Sequence, residues 1–141
     1  MNIKNKSKVN LFLIELIIVI LVFAVSSAII VNLFISSHKI NHQSEDMSIS
    51  LMKIESILEE YKSLNNSMDA TKYLSDSGFP KFYNGIWQET KDKAQGFYEI
   101  DLVKNDKKFQ VGILSKLELT SYYMSGHNEI TSLSGAKYFK Y

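Results

Sequence analysis

The sequence predicts an α+β fold: a long N-terminal helix, half membrane-spanning and half external, packed on a small antiparallel β-sheet. Three observations carry that expectation. Residues 11–35 read LFLIELIIVILVFAVSSAIIVNLFI, apolar on every face of a helix. No glycine or proline interrupts the chain before Gly78, so the helix can run on past the apolar segment. From Tyr98 onward the apolar residues recur at every second position, the period of a strand with one buried face.

Five segments follow: a leader at 1–10, an apolar helix at 11–35, its external continuation at 36–66, a connecting αβ region at 67–95 and a sheet at 96–141. The 25 residues from Leu11 to Ile35 hold one ionisable group, Glu15. At ~1.5 Å per residue they span ~37 Å as a helix, enough to cross a ~30 Å hydrocarbon core with some tilt. Lys4, Lys6 and Lys8 precede the run without an acid, which predicts a cytoplasmic N-terminus and a C-terminal part on the other side. A cleaved secretory signal is the competing reading. However, its apolar stretch is typically ~7–15 residues and ends at a small-residue cleavage site, whereas Ser36-Ser37 leads into helical sequence.

Met47, Leu51, Ile54, Leu58, Tyr61 and Leu64 then step by four or three, one apolar stripe with charged residues on the other faces. Asn65-Asn66 marks its end. Within 67–95 a short helix is expected near Asp69–Leu74, followed by Gly78-Phe79-Pro80, Asn84-Gly85 and Trp87. Apolar residues should pin this stretch to the body. Tyr98, Ile100 and Leu102 form one alternating run and Phe109, Val111 and Ile113 another, with a hairpin turn expected at Asn105-Asp106. Leu117, Leu119 and Tyr123 suggest a third strand, Ser125–Asn128 a turn and Lys137–Tyr141 a fourth strand.

A carboxylate inside a membrane helix costs a few kcal/mol unless it is paired, protonated or near the interface. Glu15 either reaches back to the headgroups or needs a cation from another chain. The residues around it resemble a known pattern. A short lysine-bearing leader, then LFLIEL, then an unbroken apolar helix resembles the N-terminus of type IV pilins and pseudopilins. Tyr73–Pro80 (YLSDSGFP) is similar to the Y-x-x-D-x-G-[YF]-P stretch that often follows the long helix in that family. The resemblance implies cleavage by a prepilin peptidase between Asn10 and Leu11 and N-methylation of Leu11. It also implies an ion pair between Glu15 of one subunit and the Leu11 ammonium of its neighbour. It implies a structural subunit, a minor one, of a type IV pilus, competence pseudopilus or type II secretion pseudopilus. Such a protein is held in the cytoplasmic (inner) membrane by a single pass with its C-terminal domain outside, then moved into a surface or periplasmic filament. Its partners would be other pilin or pseudopilin subunits, the prepilin peptidase, the membrane assembly platform and the lipid bilayer. Two features depart from the family: Asn10 stands where glycine usually precedes the cut, and the span has no helix breaker. The alternative is an uncleaved single-span protein whose outer domain binds a ligand or partner.

No enzymatic activity and no cofactor are expected. The chain has no cysteine, which excludes disulfides, thiolate metal sites and cysteine nucleophiles. A net charge of +1 excludes a nucleic-acid binder defined by bulk charge. His38, His42 and Glu45 share a helical face but lack a fourth ligand, so no metal site is assigned. His127 has no nucleophile-elbow serine to serve. Charge is uneven: residues 36–103 hold seven lysines against eleven acids, and 104–141 hold six against three. Lys104, Lys107, Lys108, Lys137 and Lys140, with Tyr138 and Tyr141, are therefore candidates for a subunit contact or, as the lesser reading, for DNA held through its backbone and bases.

Overall fold

The computed structural model describes residues 3–141, with side chains described from Leu11 onward. The chain divides into two compact units, Met1–His42 and Gln43–Tyr141. Helix α1 covers Ile3–Ser63 and helix α2 covers Ser67–Asp76. Five strands follow: β1 (Lys81–Tyr83), β2 (Glu89–Thr90), β3 (Tyr98–Phe109), β4 (Gly112–Tyr123) and β5 (Asn128–Lys140), with one 3₁₀ turn at Lys93–Gln95. The strands form one antiparallel sheet in the order β2-β1-β3-β4-β5. The α+β expectation is thus met, and the sheet also recruits two short strands from the connecting region.

In the first unit, α1 is long and apolar enough to cross a membrane. Its apolar side chains from Leu11 to Ile35 are exposed all round the helix, which suits a hydrocarbon solvent and not water. The Ser26 and Ser27 hydroxyls donate back to the carbonyls of Val22 and Phe23 at 2.8 Å each, so these two polar groups are satisfied within the helix.

In the second unit, the later part of α1 lies on one face of the sheet. Ile54, Ile57, Leu58 and Tyr61 are buried against Ile100, Leu117, Leu119 and Phe139. Each such side chain contributes about 1.5–3 kcal/mol by leaving water. Gly135 marks the closest approach: a Cβ there would stand 3.2 Å from Leu58 Cδ2 and 3.0 Å from Lys62 Cε. The helix ends where the Lys137 ammonium donates to the carbonyls of Lys62 and Leu64, satisfying acceptors that have no intrahelical partner. Asn66 then caps α2, accepting from the Asp69 N–H while its amide donates to the Asp69 carboxylate, both at 2.7 Å. Gly78, at φ +63°, takes the left-handed turn after α2.

The expected stripe holds at Ile54, Leu58 and Tyr61 and departs from expectation at its start. Met47 is 49% exposed, whereas Ser50 is fully buried and Asp46 faces the sheet. Polar residues occupy the inner face because the sheet supplies their partners. Ser50 donates to Ser121 Oγ at 2.5 Å, and Ser121 donates to the Thr131 carbonyl at 3.2 Å.

The hairpin turn also differs from expectation. Asn105 and Asp106 pair with Lys116 and Ser115 inside a long β3–β4 ladder, and the chain reverses at Gln110-Val111. A turn at 105–106 would pair Ile100 with Val111. The observed register pairs Ile100 with Ser121 instead and places Leu117 and Leu119, both 0% exposed, beneath α1 in the central strand. Val111 is left in the turn, 70% exposed. The turn at 124–127 is present, with Gly126 and His127 at positive φ, and β5 continues from it as one 13-residue strand. Trp87 pins the connecting region as expected, stacked on Tyr98 at a ring distance of 4.0 Å. Its own φ of 58° is a strained left-handed conformation that this stack and a side-chain hydrogen bond hold in place.

Candidate functional site

Two groups of residues were expected to act, and they lie in different units. Leu11 and Glu15 are four positions apart on α1, so they share a helical face one turn apart. Both are exposed. Among the described residues Glu15 has no hydrogen-bond or ion-pair partner, unlike the two internally bonded serines of the same segment. The Asn10 side chain, and with it the environment of the expected cleavage point, lies outside the described residues.

The C-terminal lysines and tyrosines do not form one patch. Strand alternation sorts them onto two faces. Lys104 and Lys137 point to the helix side. Lys137 holds the end of α1, and Lys104 pairs with Asp106 at 3.0 Å and reaches Thr71 Oγ1 at 3.4 Å. Both are engaged within the fold in this arrangement. Lys108, exposed, shares their strand parity near the end of β3.

Lys107, Tyr138 and Lys140 point to the opposite, outer face, and Tyr141 follows the strand at 77% exposure. Lys116 joins this outer group although the sequence reading did not single it out. The signal was present: Lys116 and Glu118 alternate with the buried Leu117 and Leu119, and that parity carried along β4 places both outside.

The helix side of the sheet carries a second polar cluster. Tyr61 donates its hydroxyl to Ser115 at 2.7 Å, and Ser115 donates to Asp106 Oδ1 at 2.5 Å. Burial raises the Asp106 pKa, but the Ser115 hydrogen bond together with Lys104 outweighs it, and the carboxyl sits below its usual range. An open groove of about 430 Å³ between α2 and the sheet runs over this cluster. Its lining polar groups largely satisfy one another.

The histidines are not brought together. His38 meets Phe34 edge-on at 4.7 Å, and His127 stacks on Tyr122 at 4.2 Å. Among the described residues no three histidine, aspartate or glutamate side chains converge on a common point.

Compared with known proteins, the chain matches no protein-family model, no curated protein and no solved structure.

Proposed function

We infer that this chain is a pilin-like structural subunit, a minor one, of a type IV pilus, competence pseudopilus or type II secretion pseudopilus. The observation that carries the reading is Glu15: the one ionisable group in an otherwise apolar 25-residue helix, one turn after Leu11. A carboxylate held in hydrocarbon without a partner in its own chain is a strong acceptor for a cation supplied by another. Cleavage between Asn10 and Leu11 would create that cation, the Leu11 ammonium of a neighbouring subunit. The helix-on-sheet outer unit supports the same reading, because it gives such a subunit a folded head carried by its assembly helix.

In this account the protein is stored in the cytoplasmic membrane with the head outside. A prepilin peptidase and an assembly platform then process and polymerise it. Its chemistry is assembly and not catalysis. Asn10 favours one other reading, an uncleaved single-span protein with a binding head, since a side chain larger than glycine obstructs a protease at that position.

Mass spectrometry of the intact chain and its terminal peptide from native membranes separates the two. A chain starting at Leu11 and heavier by a methyl group supports the filament subunit. A chain that retains residues before Leu11, in cells whose prepilin peptidase processes other substrates, overturns it.

A further inference from the structure

The outer face of the sheet is sorted by charge along its length. The ladder registers define six outward rows across β3, β4 and β5, from Glu99–Tyr122–Glu129 at one end to Phe109–Gly112–Lys140 at the other. The first three rows hold Glu99, Asp101, Glu118 and Glu129 and no lysine. The last three hold Lys107, Lys116 and Lys140 and no acid. None of these seven side chains is in an ion pair among the described residues. In the two middle rows Glu118 and Lys116 of β4 are flanked by short side chains: Ser134 and Ala136, exposed on β5, and Asn105 and Val103, the latter 52% exposed, on β3.

We propose that two copies of this chain stack outer face to outer face about a two-fold axis lying across the strands above the row Lys104–Leu117–Gly135. Such a rotation lays each strand over its own copy running the opposite way. Every outward lysine then meets an acid on the same strand of the other copy: Lys107 over Asp101, Lys116 over Glu118 and Lys140 over Glu129. The two-fold repeats each pair, giving six opposite-charge contacts from three residue types. In the parallel arrangement acid would face acid and lysine would face lysine, so the charge pattern selects one orientation. The small Ser134 and Ala136 let the faces approach along β5. The four-carbon lysine arm covers the lateral offset that sheet twist introduces toward the ends.

Rows ~6.8 Å apart on three strands ~4.8 Å apart make a face on the order of 500 Å² per copy. That is below the ~800 Å² per partner of a standard stable interface. The dimer is therefore weak, reversible and salt-sensitive, and it does not depend on the filament reading.

The absence of cysteine makes the test direct. In the full chain in native membranes, Ser134→Cys places one thiol beside the axis, where a short bis-maleimide joins it to its own symmetry mate. Lys72→Cys, exposed on α2, is the control. A dimer from Ser134→Cys and not from Lys72→Cys is expected. Adding Lys116→Glu should lower its yield roughly tenfold, because two like-charge contacts replace two attractive ones. Lys116→Glu with Glu118→Lys should restore it, which a folding defect could not do. Equal yields from both thiols, or indifference to Lys116→Glu, overturns the proposal. The same cross-link should persist with Glu15→Ala. Its loss there would trace the contact to assembly through the membrane helix and overturn an independent dimer.

Discussion

The Tyr98 hydroxyl donates to Asp46 Oδ1 at 2.8 Å, joining α1 to β3 across 52 residues of chain. Trp87 Nε1–H donates to the same oxygen at 3.1 Å, and the Tyr123 hydroxyl donates to Oδ2 at 2.9 Å. One carboxylate thus ties the start of the second unit's helical part to the connecting region and to both β3 and β4. A carboxylate suits the position because it accepts several hydrogen bonds and donates none.

Asp46→Ala should therefore destabilise the second unit by about 2–4 kcal/mol, since three partly buried donors lose a charged acceptor together. Denaturant unfolding followed by the fluorescence of Trp87, the only tryptophan, reads this directly. Unchanged stability would mean that water replaces the carboxylate without cost.

The same cluster fixes an alkaline limit. Burial first, then the Asp46 hydrogen bond, raises the Tyr123 hydroxyl to about 12 and raises Tyr98 as well. A group whose pKa is higher when folded lends stability that is complete below its unfolded value, near 10, and lost as pH rises through the folded value. Stability should fall between pH 10 and about 12, together with tyrosinate absorbance. In Asp46→Ala both tyrosines should titrate at lower pH.

At the acid end the sign reverses. Asp106 is held below its usual range, so its contribution is present above the ordinary carboxylate pKa of ~3.9 and disappears as pH falls below it. Asp106→Asn should flatten the acid limb of the stability profile. An identical limb in the variant would show that Asp106 does not set it.

Ser50 and Ser121 should behave as a coupled pair. Each single change to alanine leaves a buried hydroxyl without one partner and should cost about 1 kcal/mol, while the double change should cost less than the two added together. Strict additivity would place no energy in this contact.

Glu15→Ala should leave membrane insertion intact, or slightly improve it, and should abolish filament incorporation. Fractionation of membranes and sheared filaments measures the two separately. Normal incorporation would exclude pairing between Glu15 and a neighbour's N-terminus.

The apolar run, the strand periods and the end of the long helix at Asn65-Asn66 were legible because each depends on nearby residues. Leu11–Ile35 is apolar over more than the thickness of a hydrocarbon core whatever the rest of the chain does, and α1 ends at Ser63, just before Asn65-Asn66. The turn was less legible. Asn105-Asp106 has better local turn chemistry than Gln110-Val111, but the longer hairpin buries Leu117 and Leu119 beneath α1. Burial of two leucines outweighs a turn preference.

By itself, then, the sequence determined the long helix, the short helix after it and the strand-rich C-terminal part, because helix and strand periods are local properties. Only the tertiary structure decided where polar residues take the inner face and which lysines stay outside. Met47 lost its inner place to Asp46 and Ser50 because their hydrogen-bond partners, Tyr98 and Ser121, arrive from strands 52 and 71 residues away. The C-terminal lysines divided for the same reason. Lys104 and Lys137 went to a helix end and a carboxylate, while Lys107, Lys116 and Lys140 were left on the outer face. Charge can be counted along a chain, but its placement depends on which distant partner satisfies it.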